Sequence, residues 1–308
     1  MFSGSYDRWA KAPHIGGSCI PRSQVTLLAP RCINNQEHEV QLAILTISRQ
    51  FGSGIREIRL EIALELNYKY VDKKCILNDI RAKGGKWEQW ALEFDQSSPS
   101  TWERLDWSFK GFGALLQSVM LSYTIDDNVI LAGRGSNFLL DGIAHAYKVR
   151  FVAPMEQRIE RISVWESVDR ETALGIAKKT DRERAGFVHA LYGKDIKDPN
   201  YYDDVFDTGV ISAEKIVTII RENLLARDSL KTQEAQHLLR MRAAAAKVRA
   251  GLIIDTRLYV PTLEVHCTNT GLALRGIVHN SDEYARIESA ARELAGDVPL
   301  KIELKFRS

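Results

Sequence analysis

The sequence predicts an α/β protein, a parallel sheet flanked by helices, followed by a small α+β module. Three observations carry this. Apolar runs long enough for strands covered on both faces recur early: "LAILTI" (42–47), "NVILAG" (128–133) and "YKVRFVAP" (147–154). Helical patterns alternate with them, the grammar of parallel units. Past a polar helical stretch at 228–250 the order changes to strand, strand, helix, strand.

The elements follow in order. Residues 1–39 are rich in Gly, Ser and Pro and lack a basic start followed by an apolar core. They read as a tail outside the core and as no secretory signal. The first strand ends in the turn Gly52-Ser53-Gly54, after which Ile58, Ile62 and Leu66 recur at helical spacing, with Leu60 and Leu64 widening the stripe. Between 78 and 122 stand Trp87, Trp90, Trp102 and Trp107. Two readings fit them: helices packing aromatics on a neighbour, or a flap stacking a ring on a base. Pro154 closes the third strand and "MEQRIERISVWES" is helical. A charged helical stretch, 169–191, contains "KKTDRERAGF", and Ser212 suits the N-cap of "SAEKIVTIIRENLLA". "TLEVHCTN", "TGLALRGIV", "SDEYARIESAARELAG" and "VPLKIELKF" complete the chain. In the last, Leu300, Ile302, Leu304 and Phe306 alternate with Lys301, Glu303 and Lys305, the period of a half-buried strand. The expected division is a tail at 1–39, a main domain at 40–228, and a helical linker with the small module at 229–308. The main domain is expected to fold without the module.

Composition excludes several classes. The chain of 308 residues has a formal net charge of +2, too small to argue for nucleic acid or an anionic membrane. No apolar stretch approaches the roughly 20 residues of a membrane span. Cys19, Cys32, Cys75 and Cys267 lie far apart and fit neither a zinc site nor a disulfide framework, so a cytoplasmic protein is expected.

The glycine turn between a buried strand and a helix is where phosphate would be cradled by backbone N–H groups and a helix N-terminus. Matched to G-x-x-x-x-G-K-[ST] with Arg56 in the lysine place, Gln50 and Ile55 replace both glycines and Glu57 replaces Ser/Thr. Pattern alone leaves a variant phosphate loop and a plain strand-to-helix turn both open.

Further segments narrow the choice. "NVILAGRGSNFLL" followed by "VRFVAPMEQRIERI", "DRERAGF" and "DVFDTGVISAEKI" resemble, in that order, parts of cytidylate kinases. The first matches their strand ending in G-R-D and the arginine-rich helix beyond it. The second matches their arginine-bearing lid, and the third their final strand and helix. The cytidylate kinase-like branch, typified by "ISRxFGSGGREI", "GRGxN", "DxxR" and "DPxxYD", is similar at Ile47–Ile58, Gly133–Asn137, Asp181–Arg184 and Asp198–Asp203. The resemblance covers about 42–226 and implies a P-loop fold, ATP with Mg2+, and transfer to a CMP-like nucleotide.

It implies that Gly52, Ser53, Gly54, Arg56 and Glu57 meet the donor phosphates, with Arg56 in the role of the lysine. Asp72, Arg134, Ser136 and Asn137 would meet the acceptor, and Arg182 and Arg184 would close over the transferring group. Clustered arginines suit that chemistry, which needs positioning and charge neutralisation. Glu57 or Asp207 would be the acid nearest a metal, since Ala132 stands where cytidylate kinases carry an acidic residue. Ile55 replaces a family glycine and is expected to weaken the loop if φ must be positive there.

Residues 240–308 resemble a BON domain through "TNTGLALRGIV", "ARELAG" and "DVPLKIELKF". That likeness implies an αββαβ fold and a small-molecule, lipid-surface or protein partner. A catalytically degenerate, nucleotide-binding regulator with this module as sensor is the alternative expectation.

Overall fold

The computed structural model describes residues 43–84, 87, 107–126, 128–258, 262–268 and 270–307. The predicted tail, Trp90 and Trp102 lie outside them. Five parallel strands, β1 (Ile44–Arg49), β2 (Lys69–Val71), β3 (Val129–Ala132), β4 (Ala146–Val152) and β5 (Asp204–Asp207), form one sheet in the order β2-β3-β1-β4-β5. The chain leaves β1 toward one edge, returns to β3 beside it, then crosses to β4 on its other side. The carboxyl ends of β1, β3 and β4 therefore flank a topological switch, where open α/β sheets bind ligands.

Helices cover both faces, which is why the strands read as unbroken apolar runs. On one face α1 (Ile55–Leu66) and α7 (Ala213–Asp228) pack on Leu45, Ile47, Ile130 and Val149. On the other, α2 (Lys73–Arg81) and α3 (Trp107–Thr124) pack on Ile44, Val129 and Leu131. Ile58, Ile62 and Leu66 of α1 are buried as expected, whereas Leu64 is exposed. Trp87 is buried in the second face, which favours packing for that ring. Between β3 and β4 lies the single turn α4 (Ser136–Leu139), and between β4 and β5 lie α5 (Met155–Glu166) and α6 (Arg170–Tyr192).

Beyond α7 runs α8 (Gln233–Ile254), then β6 (Glu264–Thr268), β7 (Gly271–Val278), α9 (Ser281–Ala295) and β8 (Leu300–Phe306). β7 pairs antiparallel with β6 and parallel with β8, so α8 to β8 has the expected αββαβ order. Gly271 is required at the start of β7: its φ is +151°, and a Cβ there would lie 2.2 Å from Pro299 O. The 229–308 segment is not simply a linker and a module. Leu239, Ala250 and Ile253 of α8 belong to the core of the main sheet, while Ala245, Val248 and Leu252 belong to the small sheet. One helix is a wall of both cores. Among the described residues, no helix is long and apolar enough to cross a membrane.

Candidate active site

The loop after β1 is tied to β4. Gln50 N–H donates to Phe151 O (3.0 Å), and its side-chain Oε1 accepts from Ala153 N–H (3.1 Å). Gly52 (φ 79°) and Gly54 (φ 77°) take the left-handed conformation that glycine adopts without a steric penalty. Gly54 is the N-cap of α1, and no side chain caps this helix. Its first N–H groups stand at the positive end of the helix dipole. By contrast, Asp72, Asp169, Ser212, Thr232 and Asn280 cap α2, α6, α7, α8 and α9.

Ile55 is the first helical residue and packs into the core with Ile58 and Ile62. Positive φ falls at 52 and 54, so the β-branched side chain meets no backbone conflict. Ile55 also occupies the place directly after the last loop glycine, where a P-loop carries its lysine. Arg56, expected in that role, is exposed, with its guanidinium 5.4 Å from the centre of the Trp165 ring. Ser53 is buried; its carbonyl accepts from Thr208 Oγ1 (2.8 Å) and its hydroxyl has no protein partner among the described residues.

Side chains from α5 and α6 grip the loop. Buried Arg158 donates from Nε to Phe51 O (2.7 Å) and pairs through Nη2 with Asp181. The other oxygen of Asp181 accepts from Phe51 N–H (2.8 Å). Arg161 Nη1 donates to Gly52 O (3.2 Å) and Thr208 Oγ1 (3.1 Å). Arg158 and Arg161 were legible only as part of an arginine-rich helix. Their spacing of three puts both on one helix face.

A group of cations lies beside the loop. Arg184 donates from Nη1 to Arg49 O (3.2 Å) and stacks 5.5 Å from the Phe51 ring centre. Burial, then the Arg49 charge, pushes it down to about 9 against the pull of Asp181. Arg134 is pushed down to about 10 by burial and then by Arg49. Lys73 falls to about 8 through burial and the charges of Arg134, Arg184 and Arg49, opposed by Glu183. The four groups feel one another across the carboxyl ends of β1 and β3 and the start of α2. Lys73, Arg134 and Arg184 remain mostly charged at neutral pH, an arrangement that an anion would relieve. Lys73 and Arg49 carry no distinct sequence signal beyond their place in "VDKK" and "ISR".

Arg134 itself has φ +58°, rare for a non-glycine residue, and its guanidinium lies 4.6 Å from the Phe187 ring centre. Its carbonyl accepts from Tyr192 Oη (3.0 Å). Ser136 Oγ donates to Leu131 O (3.3 Å), and Asn137 Nδ2 donates to Tyr201 O (3.5 Å), tying "GRGSN" to "DPNYYD". Asp72 accepts from Lys74 N–H (2.9 Å) and Cys75 N–H (3.2 Å), so its carboxylate caps α2. Arg182 is exposed. Two residues make about 200° around a helix, so Arg182 and Arg184 face opposite ways. Glu57 lies in the first turn of α1.

Magnesium in phosphoryl-transfer sites is held by one or two carboxylates together with substrate phosphates and waters. Among the described residues no three His, Cys, Asp or Glu side chains could hold an ion together. Asp181 is engaged as above, and Asp207 Oδ1 accepts from Gly209 N–H (2.8 Å). These residues do not fit a preformed cage.

A parallel sheet flanked by helices, with a glycine loop after its central strand and arginine-bearing helices over that loop, defines a kinase-like α/β domain. The chain belongs to the cytidylate kinase-like family, whose profile matches residues 44–210. It is similar to the cytidylate kinase of Methanocaldococcus jannaschii, 26% identical over 190 residues that are 61% of this chain and 99% of that one. The cytidylate kinase of Pyrococcus abyssi is 23% identical over 179 residues, 58% of this chain and 91% of the relative. A shorter match, 28% over 98 residues, covers 32% of this chain and 19% of a uronate isomerase from Corynebacterium glutamicum. Among solved structures, a protein from Eubacterium ventriosum is similar over 60% of this chain and 99% of its own, with TM-score 0.48 and 16% identity. The small sheet lies outside the matched family segment, and its BON-like identity is not supported by these likenesses.

Proposed function

We propose that the chain transfers the γ-phosphoryl group of ATP to a nucleoside monophosphate, with CMP as the first acceptor to test. The observation that carries this reading is the convergence of Arg49, Lys73, Arg134 and Arg184 beside a glycine loop and an uncapped helix. The donor phosphates would accept from the loop and the first N–H groups of α1. Arg134 and Lys73 would hold the acceptor phosphate, with Ser136 and Asn137 shaping its turn. Arg184, rather than exposed Arg182, would neutralise the group in flight as the bond to ADP breaks and the bond to the acceptor oxygen forms. A divalent ion bound to the nucleotide's own phosphates would add charge neutralisation, with no cage of carboxylates from the described residues. In this reading Asp72 caps a helix instead of contacting the nucleoside.

One observation favours the regulatory alternative. The lysine place is filled by Ile55, whose side chain is in the core. A loop without that cation could bind nucleotide and transfer nothing, leaving the αββαβ module, in a BON-like role toward a small molecule, lipid surface or protein, as the output. The two readings separate in one experiment. ATP consumption is followed with CMP, UMP, AMP and dCMP as acceptors, beside calorimetric binding of each. Acceptor-dependent turnover is expected, and binding with no turnover for any acceptor selects the regulator.

A further inference from the structure

We propose that Arg249, Gln117 and Tyr192 are positioning residues for the Arg134 turn, through which the wall shared with the C-terminal module sets acceptor binding. This rests on the role proposed for Arg134.

The chemistry of the donors fixes the direction of the chain. A guanidinium only donates, so Gln117 must turn Oε1 to Arg249, and Nη1 to Oε1 is 3.1 Å. With its oxygen taken, Gln117 has only its NH2 to turn toward the Tyr192 hydroxyl. Tyr192 Oη donates its proton to the carbonyl of Arg134, 3.0 Å away. A path from α8 through α3 to the end of α6 and the turn after β3 thus has a hydrogen bond at each end.

That turn needs an external hold. Arg134 has a positive φ without being glycine, a conformation that persists where its surroundings over-determine it. The ring of Tyr192 occupies the space beside Gly135, where a Cβ would lie 2.2 Å from Cε2, and packs against Phe138 at 5.6 Å. Phe187, beneath the Arg134 guanidinium, meets Phe109 of α3 edge-on at 6.5 Å.

The other end of the chain is in the module. Arg249 feels the charge of Glu264 on β6. A second arginine of α8 grips the far end of the same segment: Arg242 Nη1 donates to Leu139 O (3.5 Å) and to Asp141 O. The segment from Arg134 to Asp141 is therefore held at both ends by the helix whose opposite face builds the module's core.

The test is hydrogen exchange on the full chain, read at residues 133–137, where Gly133 N–H donates to Ile47 O and Ser136 N–H to Gly133 O. Arg249→Met, Gln117→Leu and Tyr192→Phe should each speed exchange there by roughly three- to tenfold, the weight of one lost buried hydrogen bond. The double variant Arg249→Met/Tyr192→Phe should be no faster than either single, and Arg249→Lys should lie nearer wild type. Amides of β1 and β4 should not change. If Arg249→Met loosens the whole chain, those amides report it, and Tyr192→Phe, which keeps its ring, carries the test. Unchanged exchange at 133–137, or a double variant equal to the product of the singles, overturns the proposal. The readout needs no substrate, so it stands or falls apart from the kinase reading. CMP affinity measured on the same variants should fall by the same factor.

Discussion

Lys73 makes phosphate binding pH-dependent. Its pKa is about 8 in the folded chain against 10.5 when unperturbed, so between these values the unfolded chain binds more protons and stability rises with pH. A bound phosphate dianion restores the proton, so affinity should fall as pH rises past about 8, by at most about tenfold per pH unit. Calorimetry of CMP from pH 7 to 9.5 checks this, and Lys73→Arg should flatten the profile. Ile55 makes a second residue-scale prediction. Because its side chain is in the core, Ile55→Gly should cost about 3–5 kcal/mol in urea unfolding without tightening ATP. The glycine loop, Arg134 and Arg184 were legible as motif residues. The fates of Arg56, Asp72 and Ile55 were not, because they depend on where α1 and α2 begin. A shift of one residue in a helix start turns a side chain from ligand to core.

At the scale of elements, α6 is the clamp on the loop. Asp181 holds Phe51 N–H and the buried Arg158 guanidinium together, and removing it strands a charge. Asp181 is partly exposed, so Asp181→Ala should cost about 2 kcal/mol, below the range for fully buried pairs. Arg182→Ala should stay within about 0.5 kcal/mol, as surface changes do. Thermal unfolding compares the two. In turnover, Arg184→Ala should lower kcat while Arg182→Ala should not. The periodicities of α1, α5, α7 and α9 were readable because each has one clear apolar face, and that of β8 holds for Leu300, Ile302 and Leu304 but not for Phe306, which is exposed at the strand's end. α8 was readable as a helix but not as a double-faced wall. Alanines supply much of both its stripes, and small apolar residues barely mark a face in sequence.

For the whole molecule, that shared helix changes what truncation should do. The sequence led to the expectation of a separable main domain ending near residue 228. Ending the chain at Arg227 would strip Leu239, Ala250 and Ile253 from the main core, a loss of about 4 kcal/mol of apolar burial. That is much of a domain's net stability. Such a chain should unfold at markedly lower urea or lose its cooperative transition. An unchanged midpoint would show the module to be separable after all. In the proposed function the cations around the glycine loop form two adjoining phosphate sites, one for donor and one for acceptor. Calorimetric titration of wild type, Arg134→Ala and Arg184→Ala with Mg·ATP and with CMP separates the two. Wild type should bind both, and Arg134→Ala should lose roughly tenfold or more in CMP affinity, as for a hydrogen-bonded charge, with ATP unchanged. Failure of the wild-type chain to bind either nucleotide, or equal losses for both in Arg134→Ala, would contradict that reading.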